Sequence, residues 1–239
     1  LRPIAGVALP QDVQADACDW PESFFAPRVH RFRTLPPSPD DLAEAAAAVR
    51  AARRPVLIAG GGALYARASE ALRAFAERHG VPVAESQAGK GALPWDHPLQ
   101  LGPAGVSGSS AANALLGEAD LVLAVGTRLQ DFTTGSNALY RQARVLSLNV
   151  NGYDALKGNG PELLADARLG LEALSAALGD WQADGAWSAR ARQGADDWRA
   201  IVARITGRRE LPAGTLPYDG EVIGAVQRSH ADSPRADIV

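Results

Sequence analysis

An α/β fold with an open parallel sheet flanked by helices is what this sequence predicts, on three observations. Short, wholly apolar runs such as Val56-Leu57-Ile58-Ala59 and Leu121-Val122-Leu123-Ala124-Val125 alternate with stretches of helical spacing. Unbroken apolar runs suit strands covered on both faces, as in a parallel sheet between helix layers. Two of the runs end in glycine, at Gly60-Gly61-Gly62 and at Gly126, where a strand would turn into its crossover.

The elements follow in order. Residues 1–39 are proline-rich and carry no long period, so they read as a linker and the tail of something earlier, with Ile4 to Leu9 as one short strand closed by Pro10. Leu35-Pro36-Pro37-Ser38-Pro39 is stiff and extended, which suits a connection between domains. Asp40 or Asp41 can then cap a helix to about Arg53, with Leu42, Ala45, Ala46 and Val49 on its apolar side, and Pro55 ends it. The strand Val56–Ala59 comes next. A helix from Arg67 to His79 carries Ala68, Ala71, Leu72, Phe75 and Ala76 at helical spacing, with Gly80 where a C-terminal cap belongs.

Val81-Pro82-Val83-Ala84 is a second strand whose proline favours its start or an edge. A helix over Ser109–Ala119 leads to Leu121–Val125. The runs Val145–Val150 and Leu163–Ala165 are further strands, and a helix runs from Arg168 to about Leu178. Beyond it lies a helix to about Arg208 with Trp187, Ala191, Trp198, Ile201, Val202 and Ile205 near one face; the two tryptophans are read as packing residues. A proline-marked linker follows, and then a helix over Tyr218–Ser229. The expected division is 1–39 as preceding domain and linker, 40–180 as the α/β domain, 181–217 as helix and linker, and 218–239 as the start of another domain.

Composition excludes several classes. With 46% hydrophobic and 21% charged residues the chain can fill a core, so wholesale disorder is excluded. A net charge of −3 gives it no electrostatic reason to bind nucleic acid or an anionic membrane. Cys18, the one cysteine, cannot form an internal disulfide or a cysteine-rich zinc site. No apolar stretch reaches membrane-spanning length, and no signal segment opens the chain, so a cytoplasmic protein is expected. The chain has no methionine, and it stops where an apolar run has just begun. Both ends read as cut from a longer polypeptide.

In an open parallel sheet, ligands bind outside the carboxyl ends of the strands. Gly60, Gly61 and Gly62 would let a phosphate approach the backbone. Tyr65 stands where a dinucleotide fingerprint needs its last glycine, so a tight turn is an equal reading. After the second strand, Gly126, Thr127, Arg128 and Asp131 lie in a polar loop running to Ser136. There Arg128 could grip a phosphate, and Asp131 could hold the arginine or accept from a ribose hydroxyl. The duller reading is a surface ion pair. Lys90, one of two lysines, sits in Gln87-Ala88-Gly89-Lys90-Gly91 and could neutralise a phosphate or simply be solvated. Ser107, Ser109 or Ser110 is expected to cap a helix. No serine lies in G-x-S-x-G, and the four histidines are scattered, so the chain carries no candidate catalytic residue and no candidate metal ligands.

Several of these segments, in this order, resemble the thiamine-diphosphate enzymes related to acetolactate synthase. Gly6-Val7-Ala8-Leu9-Pro10-Gln11-Asp12-Val13-Gln14 resembles the end of their pyrimidine-binding domain. Pro55 to Gly62 is similar to the first strand and glycine turn of their Rossmann-like central domain. Gly89-Lys90-Gly91-Ala92-Leu93-Pro94, followed by Asp96-His97-Pro98-Leu99, resembles a connection typical of that superfamily. Ala119 to Arg128 is similar to the segment that contacts the nucleotide in flavin-binding members. Three stretches resemble one branch, the trihydroxycyclohexanedione hydrolases of myo-inositol catabolism. They are Gly105-Val106-Ser107-Gly108-Ser109-Ser110-Ala111-Ala112-Asn113, the loop Gly126 to Ser136, and Leu148-Asn149-Val150-Asn151-Gly152-Tyr153-Asp154-Ala155.

The resemblance implies a parent enzyme, a homodimer or homotetramer, that opens a cyclic 1,2-dione with thiamine diphosphate and Mg2+. It also implies that both cofactor motifs lie outside this chain, before Leu1 and beyond Val239, so the fragment alone would be inactive. Gln130 and Phe132 stand where acetolactate synthases carry a second acid and a second arginine. That difference leaves FAD or ADP at the central domain an open question. Two alternatives remain: a fragment of an acetolactate synthase-like lyase or transferase, and a non-catalytic FAD- or ADP-binding module. The single cysteine argues against an NAD-dependent deacylase, since that class usually carries a four-cysteine zinc module.

Overall fold

Six strands pair in the order β3-β2-β1-β4-β5-β6, and every pairing is parallel. The structure, a computed structural model, describes residues 6–29, 33–210, 212 and 214–232. In chain order the elements are α1 (Pro39–Ala51), β1 (Pro55–Ala59), α2 (Gly61–Tyr65), α3 (Ser69–His79), β2 (Val83–Glu85) and β3 (Gln100–Pro103). Then come α4 (Ser110–Glu118), β4 (Leu121–Val125), α5 (Asp131–Thr134), β5 (Arg144–Asn149) and α6 (Gly152–Ala155). The last are β6 (Glu162–Leu164), α7 (Ala167–Leu178), α8 (Gly185–Thr206) and α9 (Asp219–Asp232). Among the described residues no helix is long and apolar enough to cross a membrane.

The chain runs outward from β1 to β2 and β3, then crosses back to β4 and runs outward the other way. β1 and β4 are therefore neighbours at the point where the winding reverses, and every residue of both is buried. Their starts are knotted by Asp120. Its carboxylate accepts from the backbone N–H groups of Arg53 and Arg54, both at 2.9 Å, while its own N–H donates to the Arg54 carbonyl and its carbonyl accepts from Arg144.

Helix ends follow local chemistry. Ser38 caps α1 through Asp41 N–H at 3.1 Å, rather than Asp40 or Asp41, because Pro39 fits the first helical position, where its missing N–H costs nothing. Gly80 ends α3 in the left-handed region at φ 65°, as its place in the sequence predicts. Ser109 caps α4 through Ala112 N–H at 2.9 Å, and Asp166 caps α7. Fully buried His79 bonds the Trp181 carbonyl through Nδ1 at 2.7 Å and Ser175 Oγ through Nε2 at 2.8 Å, tying α3 to α7 and to the turn before α8. Burial, the largest influence, pulls its pKa below the usual imidazole value.

Two expectations are corrected. β3 was not expected, because Gln100-Leu101-Gly102-Pro103 has the composition of a loop; it is an edge strand paired only with β2 and covered by α8. The strand expected over Ile4–Leu9 is absent from its described part, since Val7 and Leu9 are exposed and have no neighbouring strand to pair with. Ile4 itself lies outside the described residues. Helix α8 buries Trp187, Ala191 and Ala195 on the domain. Trp187 Nε1 donates to the Pro55 carbonyl at 2.9 Å and Ser188 Oγ to the Gly80 carbonyl at 2.7 Å. Helix α9 seats Gly220 and Gly224 against Ile205 and Thr206 at the end of α8, and Arg228 donates to the Thr206 carbonyl at 2.7 Å.

Candidate functional site

The winding reverses between β1 and β4, and at such a point an open parallel sheet takes its ligands in the crevice outside the carboxyl ends of its strands. Three loops meet there backbone to backbone. Gly60 N–H donates to the Val125 carbonyl and Gly62 N–H to the Gly126 carbonyl, both at 2.8 Å, and Gly126 N–H reaches the Leu148 carbonyl at 2.9 Å. A Cβ on Gly62 would stand 2.7 Å from Gly126 Cα, and one on Gly126 would stand 2.6 Å from Ala63 N. Gly126 also has φ 58°. Gly89 packs as closely on the Ala59 carbonyl, while Gly61 has looser contact with Ala88. The glycines thus serve close approach of the loops to one another, and two of the three N–H groups of Gly60–Gly62 bond within the chain.

The structure brings Gly60, Gly61, Gly62, Gly126 and Thr127 into one knot. Thr127 is buried; its Oγ1 accepts from Leu129 N–H at 3.2 Å and its carbonyl from Asn149 Nδ2 at 3.1 Å. Leu129 is held at φ 47°, an uncommon conformation for a side-chain-bearing residue. Arg128 and Asp131 on the same loop are exposed, and among the described residues no ion pair joins them. Lys90 is exposed on the loop after β2, which packs on the β1 turn. Gly105, at φ 111°, packs on the Phe132 carbonyl, which also accepts from Val106 N–H at 2.8 Å. Asn113 clasps Gly105 through both side-chain atoms, at 3.1 and 2.8 Å. The β3–α4 and β4–α5 loops are therefore tied to each other. Exposed Tyr65, Val106, Phe132 and Tyr153, on the loops and helices after β1, β3, β4 and β5, give this end of the sheet an apolar border.

One group was missed by the sequence reasoning. Glu85, at the end of β2, is buried, and its Oε2 accepts from Gly91 N–H at 3.0 Å and Gln100 Nε2 at 3.1 Å. Burial raises its pKa above the usual carboxylate range, against the pull of those two donors and the Lys90 charge. The available signal was an acid closing a short apolar run, Val83-Ala84-Glu85.

Among the described residues no nucleophile–base pair faces the crevice. His79 is internal, His97 bonds Glu77 and Leu99, His230 is on α9, and His30 lies outside the described residues. Among the described residues no cluster of three or more His, Cys, Asp or Glu side chains could hold a metal ion. Asp219-Gly220-Glu221 is no exception. Gly220 is packed on Ile205, and Glu221 is spent on Arg209 at 2.9 Å and Tyr218 N–H at 3.1 Å. These residues do not fit Mg2+ or a diphosphate. What the crevice offers is two exposed cations, an apolar border and one buried carboxylate.

Residues 42–174 match the family model described as the thiamine pyrophosphate enzyme central domain, and the chain belongs to that family. Among curated proteins it is 47% identical, over 73% of its length, to the 3D-(3,5/4)-trihydroxycyclohexane-1,2-dione hydrolase of Geobacillus thermodenitrificans. It is 42% identical, over 71% of its length, to the protein of the same name from Clostridium tetani. In each case the chain spans 27% of the relative's own length. Among solved structures it is similar to a candidate thiamin diphosphate-dependent enzyme from Mycobacterium smegmatis. That match has a TM-score of 0.54 and 26% identity, and covers 64% of this chain and 30% of that one.

Proposed function

We propose that the chain is the central part of a thiamine-diphosphate-dependent hydrolase that opens trihydroxycyclohexane-1,2-dione to a 5-deoxy-glucuronate in myo-inositol catabolism. The observation that carries this is the 47% identity over 73% of the chain to a protein named for that hydrolysis. The chemistry balances with water alone. The bond between the two carbonyl carbons breaks, the water hydroxyl goes to the carbon that becomes the carboxyl, and the hydrogen goes to the one that becomes the aldehyde. Thiamine diphosphate and Mg2+ are assigned to parts of the parent other than these residues, and this chain by itself is inactive. Its role is to position its neighbours through a Rossmann-like sheet. The parent is cytoplasmic and forms a homodimer or homotetramer.

Within that role Gly60, Gly61, Gly62, Lys90, Gly126, Thr127, Arg128 and Asp131 frame a nucleotide or anion site for FAD or ADP. Support comes from Arg128 and Lys90, cations exposed on the loops after β4 and β2. The enzymatic reading is tested on the complete gene product, incubated with the dione, thiamine diphosphate and Mg2+. The 5-deoxy-glucuronate is expected by mass spectrometry. In a parallel incubation with pyruvate in place of the dione, its condensation, with no ring opening in the first, would instead favour the acetolactate synthase-like alternative. The binding reading is tested by thermal shift of this chain. If millimolar FAD, ADP and sulfate all leave the melting temperature unchanged, the site is refuted.

A further inference from the structure

Glu85 has chemistry that an anion site does not use. It closes β2 beside Ala59, the residue before the glycine turn, and stands 23 residues beyond Gly62. It is only 8% exposed, yet both of its hydrogen bonds fall on Oε2. Among the described residues Oε1 has no hydrogen-bond partner, and no arginine or lysine lies within ion-pair distance of the carboxylate. A carboxylate can accept about four hydrogen bonds, and Oε1 is not one of the enclosed polar atoms left without a partner, so it keeps access to solvent and is free to accept from a donor outside the fold. In sheets of this strand order the ligand lies at the carboxyl ends, and an acid after the second strand, about 20 residues past the glycine turn, accepts from ribose hydroxyls.

We propose that Glu85 Oε1 accepts hydrogen bonds from a vicinal diol of a ligand seated at the carboxyl ends of β1 and β2. The diol belongs either to the ribose of a nucleotide or to the ring of a polyhydroxylated small molecule. A carboxylate repels phosphate and offers no proton to a carbonyl, so it selects hydroxyl groups, while Lys90 and Arg128 serve the anionic end. The inference rests on the crevice being a ligand site.

The test titrates this chain calorimetrically with two pairs of probes. One is ADP against 2′,3′-dideoxy-ADP, and the other is cis-1,2-cyclohexanediol against cyclohexanol. In one pair the diol is expected to bind at least about tenfold more tightly than its deoxygenated partner, and the pair that does so identifies the source. Glu85→Gln keeps an oxygen for Gly91 N–H and Gln100 and should reduce that ratio below about threefold. Glu85→Asp, which withdraws the carboxylate by one methylene, should do the same and covers the case in which the first variant does not fold. No diol preference in either pair, or a preference that both variants retain, overturns the proposal. Equal binding of ADP and its dideoxy analogue, lost in Arg128→Ala, overturns the diol and leaves the anion site standing. Absence of binding by every probe removes both.

Discussion

Replacing Gly62 by alanine separates two reasons for a glycine at this turn. The added Cβ would stand 2.7 Å from Gly126 Cα and 2.8 Å from its carbonyl oxygen, where ordinary contact begins at 3.4 Å. Both are backbone atoms at the end of a buried strand, so β1 and β4 must part by several tenths of an ångström. Overpacking of this kind costs about 1–3 kcal/mol, and straining the Gly62–Gly126 hydrogen bond adds about 1 kcal/mol. Gly62 has no positive φ, so alanine recovers about 0.4–1 kcal/mol from the unfolded chain. A net loss of about 2–3 kcal/mol corresponds to a fall in Tm of about 4–12 °C for a chain of this size. The assay is a ligand-free thermal melt by circular dichroism, with Gly61→Ala as comparator. Its Cβ meets Ala88 only at 3.1 and 3.2 Å, so a change within about 1 kcal/mol is expected. A Gly62→Ala protein that melts within 1 °C of the parent would refute the packing argument and return the glycine to ligand approach.

Other outcomes follow from the same kind of reasoning. Asp120→Ala strands the backbone N–H groups of Arg53 and Arg54 and should cost about 2–3 kcal/mol in urea unfolding, with Asp120→Asn recovering about half. Among the described residues the buried Tyr140 hydroxyl has no hydrogen-bond partner, so Tyr140→Phe should be neutral or stabilising by up to about 1 kcal/mol. In the parent, burial pushes the Tyr140 phenol up to about 12, so ultraviolet titration should find one tyrosine that ionises after the rest. The unfolded His79 imidazole takes its proton near 6.5, and the folded one only at lower pH. Stability is therefore full above about pH 6.5 and falls as pH drops toward the lowered folded value. Urea midpoints should fall between pH 7.5 and 5, and less steeply in His79→Gln.

The central strands were legible because burial on both faces leaves an unbroken apolar run. That was true of β1 and β4; β5, which carries Ser147, and the half-buried edge strand β6, which begins at Glu162, were still placed to within a residue at each end. Gly80 was legible because only glycine closes a helix cheaply at positive φ. β3 was not, since its pairing comes from its neighbour β2 and the cover of α8 rather than from its own four residues. At the site the glycines could be seen but not what they touch, for Gly62 and Gly126 meet only when β1 and β4 become neighbours. Glu85 was invisible for the same reason. Its burial depends on Gly91 and Gln100 folding over it, and an acid in sequence is more often solvated.

The clasp of α8 on Pro55 and Gly80 bears on how the protein is made. A ribosome releases β3 some ninety residues before Ala195, the last core residue of α8. At ordinary elongation rates that leaves the outer strand bare for about 5–20 s. During that interval the nascent chain presents an open sheet edge, the kind of surface that recruits other strands. The rate of translation through α7 and α8, and chaperone occupancy over it, then bear on the yield of folded protein alongside the stability of the finished sheet.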